Sequence, residues 1–333
     1  MSSKTQDTFL QRIKQRNYGL WQSLSRGWSK FTRQRIGVVG LLILIGLILM
    51  AVFGPYIIDV VPQIHDVTDP GKWKAPKNPA GEECTTIECK AESGGISHPA
   101  PPKFGDPYWA ILGTDHEGAD VLGKIIIGSR TAMYIGLAAG LLSSLVGVPL
   151  GLISGFYGDT WVDELIQRVI DVMYGLPFLP LVIVLVAMRG LSTTNVIIAI
   201  VVKSWLNNAI VIRGETLSLK ERSYVEAAKV SGASDTRIVF RHILPNVLPL
   251  AFIYLAQDSA FAVLTQANLA FLGLAEFTNI SWGTMLNWIQ QTGHVYDSPW
   301  WLIPPGIMIT LLAASFYFVG YSLEDVMSPS SGQ

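Results

Sequence analysis

The residues whose types and spacing could do chemistry are few. Gly118-Ala119-Asp120-Val121-Leu122-Gly123-Lys124-Ile125 comes within one residue of a phosphate-binding loop. Such a loop needs Ser or Thr after the lysine to hold magnesium, and Ile125 stands there. Asp115, Glu117 and Asp120 crowd the same stretch with carboxylates that repel phosphate. His116 joins them, and the group could take a cation weakly; helix capping and a solvated face account for it as well. No Gly-x-Ser-x-Gly and no His-Glu-x-x-His occurs, and His65, His98, His116, His242 and His294 are scattered. Cys84 and Cys89 are separated by four residues and fit a disulfide closing a small loop. With His98 they would still lack a fourth ligand for a tetrahedral metal. Two charges, Lys203 and Asp258, interrupt otherwise apolar stretches. Nothing here assembles a catalytic centre, so the chain is expected not to be an enzyme, with no bound metal or cofactor of its own.

The elements that would carry these residues are apolar. Half of the 333 residues are hydrophobic and 15% are charged, against about 25% charged in a soluble domain. Mean hydropathy is +0.39. Disorder is excluded by the hydrophobicity. The balance of 24 basic and 25 acidic residues speaks against a nucleic-acid binder. The apolar residues fall in long runs without the alternation of barrel strands. About 20 helical residues cross a bilayer core about 30 Å thick. The runs predict an all-α membrane protein with six transmembrane helices near 36–58, 133–156, 169–189, 193–212, 247–270 and 300–322.

Charge sets the expected orientation. Residues 1–35 hold eight Lys or Arg and one acid, which places the N-terminus in the cytoplasm. Six spans return residues 326–333 to the same side. Trp21, Leu24, Trp28 and Phe31 share one helical face among basic residues, so the N-terminal segment reads as an amphipathic helix lying on the inner membrane face. Residues 59–130 form a long, proline-rich extracytoplasmic loop, and 131–325 form the core. No cleavable signal peptide is read in the polar N-terminal segment, and the first apolar run is a retained span.

The loop after the fourth span, 213–246, is the most informative. Glu226 to Val230 are good helix formers, and Gly232 is a natural stop. Ser234 and Asp235 are suited to cap a second short helix. The loop therefore offers a helix–turn–helix knuckle on the cytoplasmic side.

Glu226-Ala227-Ala228, then Gly232, then Leu244-Pro245 resembles the EAA loop of ABC importer permeases. Leu112-Gly113-Thr114-Asp115, Gly151 to Gly158 with Asp163, Arg168, Asp171 and Pro177, Arg213-Gly214-Glu215, Arg241 to Asn246, Phe271 to Leu274, Ser281-Trp282-Gly283 and Trp300-Trp301 with Pro305-Gly306 look like the dipeptide/oligopeptide/nickel branch, as its second permease. The resemblance implies a type I importer permease fold in the cell membrane. It implies a second homologous permease, two ATP-binding subunits that carry ATP and Mg²⁺, and an extracytoplasmic substrate-binding protein. It also implies that Glu226, Ala227, Ala228, Gly232, Ser234 and Asp235 couple the membrane spans to the ATPase. Ala119, Ile210 and Gln266 depart from the family's usual residues, whereas His242, where general EAA loops have Ile, is common in the peptide branch; the departures leave peptides, oligosaccharides, nickel or another small solute as substrates.

Lys203 lies ten residues before Arg213, about 15 Å along a helix, and Asp258 thirteen after Pro245, about 20 Å. Similar depth predicts that they pair or line a translocation path with Asn207, Asn208 and Gln257, since an unpaired charge is costly in the bilayer. Snorkelling of Lys203 and a structural contact of Asp258 are the alternatives. A standalone secondary transporter is the competing class; it would show inverted repeats within one chain.

Overall fold

The computed structural model describes residues 29–60, 99–102, 111–275 and 279–327. The helices are α1 (Arg35–Val60), α2 (Val121–Phe156), α3 (Trp161–Gly175), α4 (Phe178–Arg189), α5 (Thr193–Lys220), α6 (Ser223–Val230), α7 (Asp235–Ile238), α8 (Leu244–Phe271), α9 (Trp282–Gln291) and α10 (Pro299–Met327). A π-helical turn, Val239–Ile243, joins α7 to α8. Among the described residues five helices or continuous helical runs are long and apolar enough to cross a membrane: α1, α2, α5, α7–α8 and α10. Counting α3 and α4 together makes six. Trp21, Leu24, Trp28, Cys84 and Cys89 lie outside the described residues.

The third expected span, 169–189, is not a single rod. Its residues fall on α3 and α4, which meet at 91°. Pro177 has no amide hydrogen and disfavours a helical conformation at the preceding residue; Leu176 is extended, with ψ 128°. Two other expected boundaries were too short. α2 begins at Val121 instead of 133, so part of the expected loop 59–130 is helical, and α5 continues past Ile212 to Lys220.

α2 is the axis of the molecule and packs on α5, α8 and α1. Gly147, Gly151 and Gly155 repeat every fourth residue and so share one face of α2. A Cβ on them would sit 2.5, 2.6 and 2.7 Å from the carbonyl oxygens of Trp205, Ala209 and Arg213. The α2 and α5 backbones therefore touch along three turns, a contact that only glycine permits.

The turn that leads into α2 is held from within. Asp115 accepts the amides of Glu117 (3.0 Å) and Ala119 (2.9 Å), and its other oxygen accepts from the Lys124 ammonium. Both side chains are buried, and the ammonium also lies 4.6 Å from the centre of the Trp288 ring and 3.7 Å from Glu117. His116 stacks on Trp301 at 5.2 Å. Asp120 caps α2 through the amides of Leu122 (2.6 Å) and Gly123 (3.2 Å). Burial pushes the Asp120 carboxyl up to about 6, against the pull of those two amides. The near-phosphate loop is thus a helix cap and an ion pair.

Candidate functional site

The knuckle follows α5 directly. α6 contains Glu226, Ala227 and Ala228 and ends in a Schellman motif. Ala233 N–H donates to Ala228 (3.0 Å) and Gly232 N–H to Lys229 (2.9 Å), with Gly232 at φ +78°. A side chain there would meet the left-handed backbone penalty and no neighbour. Ser234 occupies the N-cap position of α7, but its side chain makes no capping bond, contrary to the capping role its type suggested. Asp235 in the first turn still faces the positive end of that short helix. Val225, Ile238 and Ile243 are fully buried with Phe156, Ile212 and Val247. These anchors hold the knuckle to the ends of α2 and α5. Glu226, Ala227, Gly232, Ser234 and Asp235 remain on the surface, beside an almost fully exposed Val230.

A second feature braces this end. Arg213 on α5 donates Nε and Nη2 to the two oxygens of Asp163 on α3, both at 2.7 Å. Ser154 on α2 and the Asp159 amide also donate to that carboxylate. A bidentate pair of this kind fixes orientation as well as distance. Asp163 and Arg213 were visible in the sequence only as positions of the family pattern. They lie 50 residues apart, and no local spacing announces their contact.

Deeper along the bundle is a cavity of about 240 Å³. Lys203 and Asn207 on α5 and Gln257 and Asp258 on α8 line it, with Tyr174, Phe178, Tyr254, Phe261 and Tyr317. Four of the five intramembrane polar residues singled out in the sequence thus share one space. The fifth, Asn208, is buried behind it and donates to Asp258 at 2.7 Å. Lys203 and Asp258 do not pair. The lysine donates instead to the carbonyl of Leu176, at the break between α3 and α4. Tyr174 donates to Asn207. The aromatic lining went unnoticed in the sequence because tyrosines on apolar helices read as ordinary packing.

Gln266, where the related branch tends to carry an acid, is buried and donates to Ser281 (3.1 Å), the cap of α9. Trp282 donates its indole N–H to the Ile125 carbonyl (2.9 Å), and Gly283 lies against the α8 backbone at Ala267. The Ser-Trp-Gly motif is therefore a packing joint among α2, α8 and α9.

Residues 147–332 match the family model of the binding-protein-dependent transport system inner membrane component. The chain belongs to this permease family. Residues 20–76 of the permease also match the N-terminal TM domain of oligopeptide transport permease C. It is 30% identical to the oligopeptide transport system permease protein OppC of Bacillus subtilis, over 96% of the chain and 92% of that protein. It is 32% identical to the dipeptide transport system permease protein DppC of Haemophilus influenzae, over 93% and 96%. Its fold is that of a chain of the inward-facing MetNI methionine ABC transporter, with a TM-score of 0.50 and 16% identity over 61% of this chain and 96% of that one. The permease is a multi-pass membrane subunit of the ABC importer class.

Proposed function

We propose that this permease forms half of a translocation path for short peptides. Its N- and C-termini are cytoplasmic. A second permease supplies the other half, an extracytoplasmic binding protein delivers the peptide, and two ATPase subunits hold ATP and Mg²⁺ and do the hydrolysis. Glu226, Ala227, Ala228, Gly232, Ser234 and Asp235 present the docking surface for the ATPase. Lys203, Asp258, Asn207, Asn208 and Gln257 belong to the path.

The observation that carries the reading is the cavity, which holds a cation and a carboxylate side chain that are not joined to each other. A free peptide carries the complementary pair, an ammonium and a carboxylate, with amides between them for Asn207 and Gln257. The peptide names of the relatives point the same way.

The test is uptake into proteoliposomes holding the co-purified complex and its binding protein. ATP-dependent accumulation of a labelled dipeptide, abolished by Glu226→Arg together with loss of the ATPase subunits, is the expected result. Uptake of an oligosaccharide or nickel instead would replace the substrate. Transport by the chain alone, driven by an ion gradient without ATP, would overturn the importer mechanism.

A further inference from the structure

A groove of about 570 Å³ runs between α1 and α2 and shares no lining residue with the cavity described above. Its walls are apolar, with Val52, Leu137 and Leu141 exposed along it. Pro55 of α1 lines it, and Ala51 and Ala138 present only methyl groups between the helices. At one end stand Arg130 and the exposed Tyr56 and Tyr134. Arg130 is exposed and forms no ion pair among the described residues.

Depth follows from the sequence. Arg130 is the last charged residue before an uncharged run that reaches Gly158. It therefore sits at a membrane interface, where tyrosines also concentrate. It lies in the first third of α2, remote from Phe156, which packs with the knuckle. From Arg130 to Leu141 is eleven residues, about 16 Å of helix. One leaflet of a hydrocarbon core of about 30 Å is about 15 Å deep. The groove thus has the length of one acyl chain, with a guanidinium at the level of the headgroup.

We infer that this groove is a phospholipid site, occupied by an anionic lipid of the leaflet remote from the knuckle. The guanidinium takes the phosphate in a fork of two N–H···O bonds, the geometry in which arginine surpasses lysine. One acyl chain lies along Leu137, Ala138 and Leu141. An anionic headgroup is favoured over a zwitterionic one because the latter's own ammonium competes for the phosphate. A lipid here fills the gap between α1 and α2 and joins the first span to the core.

The experiment uses the assembled complex in nanodiscs of phosphatidylglycerol and phosphatidylcholine, with a trace of phosphatidylglycerol bearing a photoreactive group in its acyl chain. Crosslinks are mapped by mass spectrometry. Labelling concentrated on the segment 134–141 is expected. It falls about tenfold in Arg130→Gln, as loss of a charge-assisted fork implies, and less in Arg130→Lys. Ala138→Phe, which fills the groove, removes the label while Arg130 remains. Equal labelling of wild type and Arg130→Gln, or equal labelling by a phosphatidylcholine probe, overturns the assignment. So do crosslinks from a photoreactive residue at Leu141 to the second permease or to residues 61–98, which would make the occupant a protein.

Discussion

Two places in this permease bring a lysine and an aspartate into apolar surroundings, and they treat the charges in opposite ways. Before α2, Lys124 and Asp115 are joined, sealed by Trp288, and supported by two backbone amides on the carboxylate. In the cavity, Lys203 and Asp258 face the same space but are held apart, each by a neutral partner, the Leu176 carbonyl and the Asn208 amide. The first pair satisfies itself and leaves nothing for a ligand. The second satisfies each charge only in part, and the remaining donors and acceptors point into open volume. A closed pair supports structure, and an open one has binding capacity left.

This contrast can be broken by experiment. Lys124→Met strands a fully buried carboxylate, and the thermal stability of the purified chain should fall by about 3–5 kcal/mol. Lys203→Met should leave stability within about 1 kcal/mol, because the side chain is only partly buried and its one partner is a neutral carbonyl. Similar losses in both would erase the distinction.

Next in size is a pH effect confined to the first region. The Asp120 carboxyl stands at about 6 in the folded chain and 3.8 in its absence. Its folded pKa is raised, so the folded state binds the proton more tightly. The contribution of this group is therefore most favourable below pH about 4 and is lost between about 4 and about 6 as pH rises, by about 3 kcal/mol. Asp120→Asn keeps a capping oxygen and should flatten that slope in a pH series of melting curves. A slope unchanged in the variant would assign it elsewhere.

In the cavity the expected effects are on transport. Asp258→Asn and Lys203→Met should each slow peptide uptake by about tenfold or more, the size of a charge-assisted bond of about 1.5–3 kcal/mol. The contrast sharpens if Asp258→Asn spares peptides whose amino end is acetylated and Lys203→Met spares those whose carboxyl end is amidated. The smallest effect is expected outside both regions. Gly232→Val forces a β-branched residue to φ +78°, at about 1–2 kcal/mol of local strain. ATP hydrolysis and uptake measured together should come uncoupled while the melting curve moves little.

Much of this was legible in the sequence, and for physical reasons. Uncharged runs of membrane length dictate spanning helices, so five of the six spans have direct counterparts. The knuckle was readable because Gly232 and the helix formers before it act locally. The break at Pro177 was missed because an apolar count over 169–189 ignores a single absent amide. The start of α2 was placed too late because Lys124 and Arg130 read as loop charges. Lys124 enters the helix only because Asp115 neutralises it, nine residues away, and that contact has no helical spacing. The Asp163–Arg213 brace is likewise a product of tertiary structure. Four cavity residues were singled out because a polar group in an apolar run is conspicuous. The tyrosines around them were not, since aromatic residues fit such runs without contradiction.

The glycine ladder of α2 has a mechanical meaning. α5 carries Lys203 and Asn207 at the cavity and ends at Lys220, beside the knuckle, with no proline between. That is about 26 Å of unbroken helix, and over its second half it lies backbone to backbone on Gly147, Gly151 and Gly155. Two helices seated so closely cannot bend or slide separately. They form one stiff unit that runs from the cavity to the end of α5 beside the knuckle. The 91° elbow before Pro177 meets this unit where Lys203 holds the Leu176 carbonyl. A stiff link of this length is what the ATPase docking proposed for the knuckle would need in order to act on the cavity.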